Sequence, residues 1–147
     1  MRILVDADAC PVKSQIVTLA KENNISVVMF FDTSHVYNDG YSEVITVDKG
    51  PDQVDFALIQ VVNAEDIVVT QDYGVAAMAL AKQATPISQN GLIYTADNMD
   101  SLLYSRYNSQ KMRRANKRTK GPKKRDSSQD DFFKHQLAQL IKLKLGE

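Results

Sequence analysis

Short apolar, β-branched runs alternate with longer amphipathic stretches along most of this chain. Residues 2–6 (RILVD) read as a buried strand, and 11–23 as a helix with Ile16, Leu19 and Ala20 at helical spacing and Pro11 in its first turn. ISVVMFF (25–31) and EVITV (43–47) are strand-like and are separated by a polar loop through Asn38, Asp39 and Gly40. Gly50-Pro51 opens a second helix. Its segment VDFALIQVV (54–62) is apolar nearly all round, which predicts burial between layers. DIVVT (66–70) is a strand of the parallel-sheet kind, and YGVAAMALAKQ (73–83) is an Ala-rich helix. A last short strand is expected within 86–95, around Leu92, Ile93 and Tyr94, and a helix from about Asp97 to Tyr107. Phe133, Leu137, Leu140 and Ile141 form one apolar stripe on a closing helix over 129–145.

This alternation predicts an α/β fold in which a mostly parallel sheet is covered by helices on both faces, a three-layer α/β/α arrangement with an added C-terminal helix. With 147 residues, 44% of them hydrophobic, the chain suits one domain: an α/β core at 1–107, a basic connector at 108–128 and the closing helix at 129–145. Cys10 is the one cysteine, which excludes an internal disulfide and a multi-cysteine zinc site. The chain opens on a strand-like MRILVDAD, and no apolar run reaches the roughly 20 residues of a membrane helix. A cytoplasmic protein without a membrane partner is therefore expected.

The balance of 18 basic against 18 acidic residues conceals a segregation of charge. Residues 1–103 hold 5 basic and 14 acidic residues, whereas 104–125 hold 10 basic and none acidic. An acidic body joined to a basic segment points to a polyanionic partner, with cations managing the acidic side.

Ligands of open parallel sheets bind beyond the carboxyl ends of the strands, where strand order reverses. In a 3-2-1-4-5 order, the ends of the first and fourth strands are neighbours, which brings Asp6 and Asp8 (VDADACPVK) toward Asp72 (VVTQDYGVA). Asp52 and Asp55 share a helical face, and Asp55 lies among apolar neighbours without a Lys or Arg nearby. Such a set of oxygen ligands suits Mg²⁺ or Mn²⁺, with Asp6, Asp8 and Asp72 as metal ligands and Asp55 as a fourth catalytic carboxylate. Phosphodiester hydrolysis is the chemistry this favours. Arg106, Lys111, Arg113, Arg114, Lys117 and Arg118 would then neutralise nucleic-acid phosphates, and Tyr104 or Tyr107 would stack on bases. Structural roles compete with these. Asp72 and Asp8 stand where helix N-caps belong, Asp52 in a first turn, and the basic run also describes a solvated linker. His35 and His135 are isolated in sequence and carry no assigned role.

At VDADACPVK, GPDQVDFALIQ, DIVVTQDYGVA, NGLIYTADNMDSLLYSR, and Gly121-Pro122 followed by DDFFKHQLAQLI, the chain resembles the bacterial YaiI/YqxD family over nearly its whole length. That family is similar to PIN-like domains, α/β/α nuclease folds with an acidic Mg²⁺ or Mn²⁺ cluster. The resemblance implies a single PIN-like domain with Asp6, Asp8, Asp55 and Asp72 in that cluster. Two departures stand out: Asp55 where PIN nucleases often place a Glu, and Lys120-Gly121-Pro122 leading into Lys123, Lys124 and Arg125 where the family tends to GGP and a nearby Phe. The expected function is metal-dependent hydrolysis of single-stranded RNA. The alternatives are a non-catalytic RNA-binding module and an aspartate-nucleophile phosphatase built on DAD, with Thr33 of FFDTS at the end of the next strand.

Overall fold

A computed structural model describes residues 1–114 and 124–146. Its elements are β1 (Arg2–Asp6), α1 (Lys13–Glu22), β2 (Ser26–Asp32), β3 (Glu43–Val47), α2 (Gln53–Val61), β4 (Ile67–Val69), α3 (Tyr73–Ala81), β5 (Thr85–Ile87), α4 (Ala96–Arg114) and α5 (Ser127–Leu145). The strands form one sheet in the order β3-β2-β1-β4-β5, and every pairing is parallel. Arg2 to Asp6 run beside Ser26 to Phe30, and Ile3 to Val5 beside Ile67 to Val69.

Both faces of the sheet are covered, so alternate residues of β1 enter different cores. Ile3 and Val5 join Val27, Met29, Phe31, Ile67 and Val69 under α1 and α5. Leu4 joins Val28, Phe30 and Val68 under α2 and α3. Helix α4 packs on α3 through a smaller cluster of Ala76, Tyr94 and Met99. The result is an α/β/α fold with a C-terminal helix. Among the described residues, no helix is long and apolar enough to cross a membrane.

Three expectations need correction. The last strand is Thr85–Ile87, and Ile93 contributes only an isolated antiparallel bridge to Ile87. Pro86, which lacks an N–H, is tolerated because β5 lies at the sheet edge. Helix α2 is not buried all round. Leu58 is fully buried, whereas Phe56 and Val61 are exposed, because a single helical layer covers this face and hides only the inner stripe. Helix α4 runs to Arg114, so the first residues of the expected connector are helical.

The closing helix carries its own start and stop signals. Asp126 accepts hydrogen bonds from the Ser128 and Gln129 N–H groups, and the Gln129 side chain accepts from the Asp126 N–H, forming a capping box. Gly146, at φ 76°, ends the helix in the left-handed conformation. The predicted stripe of Phe133, Leu137, Leu140 and Ile141 is buried against the α1 face. Phe133→Ala should therefore destabilise the fold by about 3–5 kcal/mol, and Leu137→Ala by about 2–5 kcal/mol. Urea denaturation checks this, and losses below about 1 kcal/mol would show that α5 is not part of the core.

Candidate functional site

The register of the central strands builds the site. Val5 pairs with Val69, so the next residues along, Asp6 and Thr70, stand side by side where β1 and β4 end. The buried Thr70 hydroxyl donates to Asp6 Oδ2 at 3.1 Å and accepts from the Asp72 N–H at 3.0 Å, linking the two aspartates through one side chain. The Asp72 carboxylate in turn accepts from the Val75 N–H at 3.0 Å and caps α3. An alanine Cβ at Gly74 would lie 3.0 Å from Asp72 Oδ1, so the glycine gives this cap room.

The electrostatics are those of crowded negative charge. Burial pushes the Asp6 carboxyl up to about 6 against the lowering effect of the Thr70 hydrogen bond, with smaller upward contributions from Asp55, Asp72 and Asp8. Burial and the charges of Asp72 and Asp52 also raise Asp55, in the first turn of α2. Among the described residues, Asp6, Asp55 and Asp72 have no Lys, Arg or His ion-pair partner. Asp55 is half-buried rather than enclosed by apolar neighbours, because the outer side of α2 is open to solvent.

Asp8 belongs to a second grouping. It does not cap α1, whose N-cap is Val12; its Oδ2 accepts from the Asp32 N–H at 3.2 Å. Its buried Oδ1 lies 2.7 Å from His35 Nδ1, out of hydrogen-bond alignment. His35 Nδ1 is also 3.4 Å from Asp32 Oδ1. Ser34 hydrogen bonds hold the Asp32 carboxyl below the usual range. Among the described residues, Asp8, Asp32 and His35 are the group whose ligand atoms all lie within 4.8 Å of one another. Asp6, Asp8 and Asp72 do not meet that tightly, so one ion touching all three without water is not prepared here.

Mg²⁺ characteristically keeps several waters and takes one or two carboxylates, the donor type that Asp6 and Asp72 offer, with Asp55 within electrostatic reach. The imidazole in the second grouping suits Mn²⁺ or Zn²⁺ better than Mg²⁺. Asp32 and His35 carry no motif in sequence. The turn after FFD brings them to Asp8, and only the β1–β2 pairing reveals it.

The predicted phosphate-binding residues Arg106, Lys111, Arg113 and Arg114 are exposed on α4, whereas Lys117 and Arg118 lie outside the described residues. Tyr104 and Tyr107 are exposed, and Arg106 reaches over the ring of Tyr73, with Cζ 5.8 Å from the centroid. Arg125, counted in the basic segment, is used structurally. It bridges Asp130 on α5, at 2.7 Å, to the Gln89 carbonyl, at 2.7 Å, and the Asn90 side chain.

Residues 4–143 match the model of the family described as "Uncharacterized BCR, YaiI/YqxD family". The chain belongs to the YaiI/YqxD family. It is similar to a UPF0178 protein of Ruminiclostridium cellulolyticum, with 56% identity covering 97% of this chain and 93% of that one. A UPF0178 protein of Lachnoclostridium phytofermentans is 50% identical over 97% of each chain, and one of Clostridium kluyveri is 50% identical over 96% of this chain and 93% of that one. No solved structure matches.

The raised Asp6 pKa sets a pH dependence in metal-free protein. A carboxyl raised by folding contributes stability that is fully present below its unfolded value near 3.8 and is lost as pH rises through about 6. In chelator, Asp6→Asn should thus be more stable than wild type at pH 7 by on the order of 1–2 kcal/mol, the gain shrinking toward pH 4. Denaturation curves across that range decide the matter. A stability difference that does not vary with pH would mean that Asp6 is not under this strain.

Proposed function

We propose that this YaiI/YqxD family member is a Mg²⁺- or Mn²⁺-dependent nuclease that hydrolyses phosphodiester bonds of single-stranded RNA. The observation that carries the reading is Asp6: fixed by Thr70 at the junction of β1 and β4, crowded by Asp55 and Asp72, and without an ion-paired cation among the described residues. A divalent ion relieves that crowding. The chemistry it supplies is a nucleophilic water at neutral pH and stabilisation of charge on the phosphoryl oxygens.

The chain's residues have separable tasks in this reading. Thr70 holds one oxygen of Asp6 and leaves the other for the ion, while the α3 cap fixes the position of Asp72. Asp55 adds negative charge from α2 and orients water. The exposed cations of α4 draw in the phosphate backbone. A single strand is favoured over a duplex because it can bend a phosphate down to the partly buried Asp6 carboxylate.

Purified wild type should cleave single-stranded RNA in Mn²⁺ and stop in chelator. Asp6→Asn should lower turnover at least about 100-fold with RNA affinity nearly unchanged, because it removes transition-state stabilisation and no phosphate contact. Mn²⁺ should also raise the melting temperature of wild type, through binding to the native state, more than that of the variant. RNA that is bound but left intact in both Mg²⁺ and Mn²⁺ would establish a non-catalytic binding module instead.

The role of α4 has its own measurement. Changing Lys111 and Arg114 together to Ala should reduce the slope of log K against log[salt] for single-stranded RNA by about 1.4, two phosphate contacts' worth. An unaltered slope would assign this end of α4 to solvent.

A further inference from the structure

Beside Asp72, the ends of β4 and β5 and the inner side of α4 enclose a cleft of about 760 Å³, within the usual size of small-ligand sites. One wall is a single stripe of α4, with Leu102, Ser105, Arg106, Ser109 and Arg113 at i, i+3, i+4, i+7 and i+11. The opposite side includes Asp72, Tyr73, Ser88 and Asn90. Among the described residues, neither Arg106 nor Arg113 forms an ion pair or donates a side-chain hydrogen bond to protein, unlike Arg2, which pairs with Asp66, and Arg125, which uses all three of its guanidinium nitrogens. Two uncommitted guanidiniums facing a cleft call for an anion. The aromatic floor calls for more than an anion: Tyr73 stands edge-on to the buried Tyr94, ring centroids 6.0 Å apart, and its ring lies under Arg106.

We infer that this cleft is a subsite for one nucleotide of the RNA strand next to the bond cut, with the nucleotide's phosphate on Arg106, its base against Tyr73 and the following phosphate on Arg113. The inference rests on the nuclease reading for the polymer to which that nucleotide belongs. A ligand carrying both a flat π-face and a phosphate satisfies both the arginines and the rings, whereas free phosphate leaves the rings unused and a nucleoside leaves the arginines unused. Arg113 sits two helical turns beyond Arg106, about 10.5 Å along the axis, which separates the two phosphate positions. Asp72 lines the same cleft, which places the bound strand beside the carboxylates. The rings that meet the base are thus those of the cleft floor and not Tyr104 or Tyr107, which do not line it.

The test uses the full chain in chelator, where cleavage is silent, with uridine 5′-monophosphate, inorganic phosphate, uridine and the dinucleotide pUpU as probes in calorimetry and amide NMR. Uridine monophosphate should bind at least about tenfold more tightly than phosphate or uridine and should shift the Asn90 side-chain amide and the Ser109 amide. Arg106→Ala should weaken both nucleotides about tenfold or more, and Arg113→Ala should weaken pUpU more than the mononucleotide. Ser109→Glu, which puts bulk and negative charge into the cleft, should abolish both. Equal affinity for phosphate and nucleotide, or shifts confined to residues outside the cleft, would overturn the subsite. RNA cleaved equally well by wild type and by the Arg106→Ala, Arg113→Ala pair would overturn the subsite while leaving the nuclease reading intact. Nucleotide binding in the cleft without any metal-dependent cleavage would do the reverse.

Discussion

Because β1 pairs in parallel with β2 on one side and β4 on the other, the chain leaves β1 and β4 at a common edge and departs to different layers. A crevice at that edge is the geometric consequence. The short length of β4, three residues from Ile67 to Val69, brings Thr70 out of the ladder level with Asp6, where its hydroxyl reaches both Asp6 and the Asp72 amide. Everything on the acidic side follows from that register. A one-residue slip would send Asp6 to the opposite side of the strand and break the chain of hydrogen bonds.

The price of this arrangement is electrostatic. Nothing among the described residues neutralises Asp6, Asp55 or Asp72, although the same protein neutralises a buried carboxylate elsewhere when structure alone is at stake. Asp66, 2% exposed, accepts from the Arg2 backbone and guanidinium and from the Asn63 N–H. Asp39 is held at about 2, because hydrogen bonds from Tyr37, Tyr41 and Ser42 overcome the opposing effect of burial. Structural aspartates here are given donors. Asp6, with one hydroxyl donor against three neighbouring negative charges, is not, and that contrast within one chain supports the proposed cation at Asp6.

The elements and their order were legible because hydrophobic period and turn residues agree: RILVD, EVITV and the Phe133–Ile141 stripe fall where the pattern puts them. What failed, failed for tertiary reasons. An apolar α2 cannot reveal from its own sequence that only one helical layer covers it. Leu92-Ile93-Tyr94 has strand composition, yet Pro86 and Ile87 take the ladder positions beside β4 and leave Ile93 a single bridge. At the site, Asp6 and Asp72 were reachable from strand ends and topology alone. His35 and Asp32 were not, since their partnership with Asp8 depends on a turn conformation that no periodicity encodes. The cleft was half legible. Its arginines stand out as charge, but the stripe that separates Arg106 and Arg113 from Lys111 and Arg114 depends on which side of α4 meets α3.

That last distinction bears on how a protein with an acidic body would engage the proposed polyanion. Basic charges in the segment from 104 to 125 compensate the acidic residues of 1–103 only in the total, and in physiological salt a charge acts over roughly 8 Å. Remote lysines therefore cannot cancel repulsion at Asp72. Arg106 and Arg113 are better placed, because α4 lays them along the wall of the same cleft that Asp72 borders, although neither pairs with it. Arg125 strengthens the opposite rim by tying Gln89 and Asn90 to the start of α5, so the loop facing the arginines is anchored to the core helix rather than left to move with solvent. Position, not net charge, lets anionic and cationic surfaces share one cleft, and a strand lying in it would have uncommitted guanidiniums on one wall and Asp72 on the other.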